Sequence, residues 1–136
     1  MSGVSYSVPL GYSPPKFPSL FNPFTTEPIN LYYLEDIIRF HVYWSLLLYG
    51  SVYISCGFVA LIMLIRKGWF ALISCFSFIF VGILSGAFNG AIVGSLIGVF
   101  YNSGEFKMNT LIPLLWSVMM LLFTILSQYS KSATYL

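Results

Sequence analysis

Few side chains in this sequence are of a type that does chemistry, and they do not assemble into a reactive set. His41 is the single histidine, and Cys56 and Cys75 are the two cysteines. Two cysteines inside apolar segments provide neither a disulfide framework nor a zinc set, so each reads as a small packing residue. His41 stands at the edge of an apolar run with no second histidine and no carboxylate inside that run. It reads as an interfacial side chain rather than a ligand or proton relay. No Gly-rich phosphate loop and no Ser/His/Asp constellation occurs. The four acids, Glu27, Glu35, Asp36 and Glu105, lie outside the apolar runs. An intramembrane charge would mark ion-coupled transport, and the runs offer none. The sequence predicts no enzyme, no metal site and no cofactor.

One pattern stands out instead. Gly82, Gly86, Gly90, Gly94 and Gly98 recur at every fourth residue through GILSGAFNGAIVGSLIG. Four-residue spacing lays them along one helix ridge, where a second backbone can approach closely. Ser77, Ser85 and Asn89 fall on the adjacent ridge and give the stripe a polar edge. Two readings stay open: the stripe packs against another helix, or it forms a groove that lowers the barrier for a lipid headgroup crossing the hydrocarbon.

The elements that position these residues follow from composition. Of the 136 residues 58% are hydrophobic and 7% charged, against about 25% charged in soluble domains. A globule of this size has too little interior for that apolar content. The net charge of +2 makes no phosphate-tracking surface, so nucleic acid is excluded as a partner. The expectation is an all-α integral membrane protein. The charged residues leave three runs free of Asp, Glu, Lys and Arg, at 40–65, 68–104 and 108–130. A span needs roughly 20 apolar residues. The first and third runs each fit one span. The middle run is long enough for a hairpin turning near Asn89-Gly90, but such a turn would strand polar backbone in lipid, and the glycine register persists through it. One long, tilted helix is preferred.

The domain reading is therefore a proline-rich tail over 1–28, flexible or extended along a partner, then a three-span domain over 29–130, then a short tail over 131–136. Within the domain, 30–40 reads as a short amphipathic interfacial helix capped by Asn30, lying at the interface or running directly into the first span. Its Glu35, Asp36 and Arg39 share one wedge, with Glu35 and Arg39 at pairing distance i, i+4. Spans are expected over about 42–65, 70–101 and 110–128. Tyr43 and Trp44 read as interfacial anchors, Arg66-Lys67 with Gly68-Trp69 as a tight turn, and Thr110 as a cap that puts Pro113 in a first helical turn. Arg39 and Lys107 on one side against Arg66, Lys67 and Lys131 on the other place the C-terminus in the cytosol by the positive-inside rule.

The stretch GVFYNSGEFKMNTLIPLLW (98–116) resembles the transmembrane protein 170 family, fungal members in particular, through Gly98, Tyr101, Gly104, Met108, Thr110, Ile112, Pro113 and Trp116. Trp44 and the Ala60-Leu61 to Arg66-Lys67 exit of the first span fit as well, and the similarity covers about residues 38–128. The resemblance implies a small three-span protein of the endoplasmic reticulum and nuclear envelope. It implies either membrane shaping or phospholipid scrambling beside a bridge-like lipid-transfer protein. Membrane phospholipids and a larger membrane or lipid-transfer protein are the expected partners, and the stripe also leaves room for a homo-oligomer or for docking in a larger complex. Glu35, Asp36, Arg39, Trp44, Arg66, Lys67, Tyr101 and Trp116 are the candidate interfacial or partner contacts.

Overall fold

A computed structural model describes residues 10–11, 13, 15–17, 30–31, 33–104 and 108–136. Most of the proline-rich tail, and Glu105 and Lys107 of the second loop, lie outside the described residues. Three long helices run α1 (Leu34–Leu64), α2 (Trp69–Ser103) and α3 (Leu111–Thr134). All three are apolar and long enough to cross a membrane.

Of the two placements expected for the amphipathic stretch, the first helix takes the one that runs directly into the first span. Nothing between residues 34 and 64 breaks it: there is no proline, and the first glycine is Gly50. The amphipathic stretch and the first span are therefore one helix of about 46 Å at 1.5 Å per residue, longer than a hydrocarbon core of about 30 Å. Its cap is Tyr33, in extended backbone, and not Asn30. Asn30 and Leu31 instead form a short strand, β1 (Asn30–Leu31), antiparallel to β2 (Met108–Asn109), with Asn30 opposite Asn109 and Leu31 opposite Met108. Drawing the backbone into that pairing removes residues 30–31 from the helix.

At the far end of α1 a single 3-10 turn, Ile65–Lys67, carries the exposed Arg66 and Lys67. Gly68 then adopts φ 62°, a left-handed value that a side chain would disfavour. This one residue reverses the chain into α2. The second helix is continuous across Asn89-Gly90, as the glycine register required. The third continues to Thr134, so residues 131–134 of the expected C-terminal tail are its last turn.

The bundle is built inside out relative to a soluble protein. Phe88 is 66% exposed, while Gly86 and Gly90 on either side of it are buried. Lipid is as apolar as phenylalanine, so no hydrophobic force draws large side chains inward and close backbone packing decides the interior. Most other buried apolar residues gather at one end. Leu31, Ile37, Phe40, Trp44 and Met108 form a cluster there, with Phe17, Ile97, Tyr101, Ile112 and Leu114 packed against it. This plug is why Trp44 is 7% exposed and not a lipid-facing anchor.

Candidate functional site: a glycine ridge and a polar seam

The glycine stripe of α2 faces α1 along its whole length. A Cβ added at Gly82 would stand 2.5 Å from Tyr53 Cβ; at Gly86, 3.2 Å from Leu46 Cα; at Gly90, 2.8 Å from Val42 Cα. At Gly94 it would meet His41 Cβ at 2.9 Å, and at Gly98 Leu34 Cδ1 at 2.5 Å. Each step of four down α2 matches a step of about four up α1, the register of two antiparallel helices meshing their i±4 ridges. Where the stripe ends, the small residue changes helix. Gly57 of α1 receives Cys75 and Phe78 of α2, with Cys75 Sγ 3.5 Å from the place of its missing Cβ. The ridge is a sealed helix contact, and a lipid groove along it is not available because α1 already fills it.

The expected polar edge is spent on its own helix. Ser77 Oγ donates to Ile73 O at 2.9 Å, and Asn89 Nδ2 donates to Ser85 O at 2.8 Å. Ser77 is exposed, while Ser85 and Asn89 are half-buried. None of the three reaches across to another helix through these bonds.

A second polar line, which the sequence reading did not single out, lies between α1 and α3. Ser117 Oγ donates to Pro113 O at 2.8 Å and lies 3.3 Å from Ser45 Oγ. A hydroxyl has one proton, so Ser45 donates to Ser117. Two turns on along α3, Thr124 Oγ1 donates to Met120 O at 2.9 Å, and Tyr49 Oη lies 2.8 Å from Thr124 Oγ1 and 3.3 Å from Met120 O. By the same count Tyr49 is the donor. One turn before Ser45, His41 is fully buried; its Nδ1 lies 3.2 Å from Ile37 O and therefore carries the proton, leaving Nε2 without a partner. Thr110 Oγ1, expected to cap α3, makes no cap bond and is likewise buried without a partner. His41 is thus an interior residue, with its Cβ over Gly94 of α2, and not an interfacial one.

The signal for this seam was present in the spacing. His41, Ser45 and Tyr49 recur every four residues on α1, and Ser117 and Thr124 stand seven apart on α3, with Thr110 seven earlier at its cap. Isolated hydroxyls in apolar helices usually bond their own backbone, so the pattern meant little until the two helices were paired. Beyond Tyr49 the seam widens into a crevice of about 220 Å³ lined by Val52, Tyr53, Cys56, Leu121, Thr124 and Gln128.

The remaining singled-out residues are dispersed. Glu35 and Arg39 form the expected i, i+4 ion pair at 3.3 Å, beside a half-buried Asp36. Arg66 and Lys67 sit at the opposite end of α1. Tyr101 packs against the plug, and Trp116 is 42% exposed on α3.

Residues 30–136 match the family model of Transmembrane protein 170A/B-like proteins. The chain belongs to that family. The match takes in all three helices and the β1–β2 pairing, and leaves out the proline-rich segment before residue 30. An uncharacterized protein of Saccharomyces cerevisiae is 36% identical over 126 residues, covering 90% of this chain and 89% of its own length. No solved structure matches. With three apolar helices and this family, the transmembrane protein 170A/B-like chain is a small membrane protein.

Proposed function

We propose that the chain is a non-enzymatic lipid-handling protein of the endoplasmic reticulum membrane, extending to the nuclear envelope. It binds a larger bridge-like lipid-transfer protein and lets phospholipids equilibrate between leaflets. The polar seam is the observation that carries this reading. Ser45, Tyr49, Ser117 and Thr124 put hydroxyls deep inside apolar helices, where an unpartnered headgroup is costly. The third helix packs almost wholly on α1 and hardly on α2, so parting this one contact offers those hydroxyls to a passing headgroup. The crevice beyond Tyr49 supports the same route. The C-terminus is cytosolic in this reading, because Arg66, Lys67 and Lys131 outnumber the cations near the other ends.

The alternative is membrane shaping through the amphipathic stretch 30–40, whose residues 34–40 are the first part of α1. Docking of a partner helix or a second copy through the glycine stripe is opposed by α1 itself.

The test is reconstitution of the full chain in liposomes carrying a leaflet-specific phospholipid probe. Probe exchange should exceed that of protein-free vesicles and fall when Ser117→Leu blocks the seam. Exchange no faster than in protein-free vesicles, with and without the transfer protein, sinks the proposal.

A further inference from the structure

At the end of α1 that carries Glu35 and Arg39, the chain builds a pocket of about 460 Å³ that no known property of the molecule accounts for. Its walls are of two kinds. Lys16 and Arg39 bring cations, and Asp36 a carboxylate; Phe17, Phe40 and Tyr43 bring rings. Phe17 holds residues 15–17 against α1 by ring contacts at 6.0 Å to Phe40, 5.3 Å to Tyr43 and 5.1 Å to Trp44. Without those contacts Lys16 would have no reason to stand over α1.

Two features decide what such a pocket accepts. Its depth is that of the headgroups: the charge-free run of α1 starts at residue 40, so Asp36 and Arg39 stand just outside the hydrocarbon. Its lining carries both signs of charge, Lys16 and Arg39 against Asp36, with Glu35 paired to Arg39 outside the lining. The Glu35–Arg39 pair is no competitor, since the side chains are 82% and 55% exposed, and an ion pair so open to solvent holds its partners weakly. A purely anionic lipid would leave Asp36 facing a like charge. A phosphate beside Lys16 and Arg39 with a quaternary ammonium beside Asp36 and the rings matches the charged and aromatic walls, the latter through cation–π attraction.

We propose that this pocket binds the phosphocholine headgroup of a membrane phospholipid. The binding needs only that α1 spans the bilayer, so it stands or falls apart from any movement of lipid between leaflets.

The test uses the full chain in vesicles of equal phosphatidylcholine and phosphatidylglycerol, extracted in mild detergent, with retained lipid measured by native mass spectrometry. Phosphatidylcholine should be enriched about fivefold, the scale of one exposed cation–π contact. Asp36→Asn should remove the enrichment without lowering phosphatidylglycerol; Phe17→Ala should remove the enrichment and, by releasing Lys16, lower phosphatidylglycerol as well, whereas Arg39→Gln lowers both lipids and Lys131→Gln, remote from the pocket, lowers neither. Should Asp36→Asn fail to insert, Phe17→Ala, outside the spans, carries the test alone. Equal retention of the two lipids, preference for phosphatidylglycerol, or enrichment untouched in well-inserted Asp36→Asn or Phe17→Ala overturns the proposal. Displacement of the retained lipid by an equal concentration of soluble glycerophosphocholine overturns its assignment to a membrane lipid.

Discussion

Tyr49 of α1 donates a hydrogen bond to Thr124 of α3, 2.8 Å away across a gap of 75 residues in the chain. Together with Ser45 and Ser117 it holds α3 against α1 with hydroxyls rather than with apolar bulk. Tyr49→Phe should lower stability in a bilayer by about 0.6 kcal/mol, and by no more than about 1.7 kcal/mol, the range of interhelical hydrogen bonds in lipid. Thr124→Val should cost less, since Tyr49 keeps Met120 O within 3.3 Å, and the double variant little more than Tyr49→Phe. Unfolding in mixed micelles measures all three, and full additivity would contradict a shared bond.

The glycine ridge predicts a contrast between two glycines. Gly90→Ala drives a methyl to 2.8 Å from Val42 Cα, a backbone atom that yields only if the helices separate. It should cost about 1–3 kcal/mol, as overpacking does. Gly50 has nothing within 4 Å of its missing Cβ, so Gly50→Ala should be neutral or stabilise by about 0.5–1 kcal/mol. Thermal unfolding of both variants in detergent decides it.

The handover from the stripe to Gly57 predicts a cross-link. With Cys56 replaced by Ala, Gly57→Cys brings a second thiol beside Cys75, whose Sγ is 3.5 Å from that Cβ position, within reach of a disulfide. Oxidation should protect both cysteines from alkylation. A cysteine at exposed Phe58 should remain alkylatable under the same oxidation.

Orientation is open to a direct check. In intact microsomes a membrane-impermeant reagent should label a cysteine placed at Ser132 or Lys67, and should reach one placed at Tyr33 only after permeabilisation. The reverse pattern would invert the assigned topology.

Much of this protein was fixed by the placing of its few charges. They delimit three apolar runs, and a run without charge or proline has no choice in lipid but to satisfy its backbone as helix. The Glu35–Arg39 pair, the continuity of α2 and the tight turn at Gly68 follow from the same local rules. What the stripe faces was not decided locally. Five glycines on one ridge invite a backbone, yet only the antiparallel meeting of α1 with α2 says whose backbone, and it leaves no room there for lipid. The seam of Ser45, Tyr49, Ser117 and Thr124, the burial of His41 and Trp44, and the removal of Asn30 into a strand with Asn109 belong to the same class. The seam and the strand pairing join residues more than 70 positions apart. Helical periodicity states which residues share a face; only tertiary packing states what that face meets.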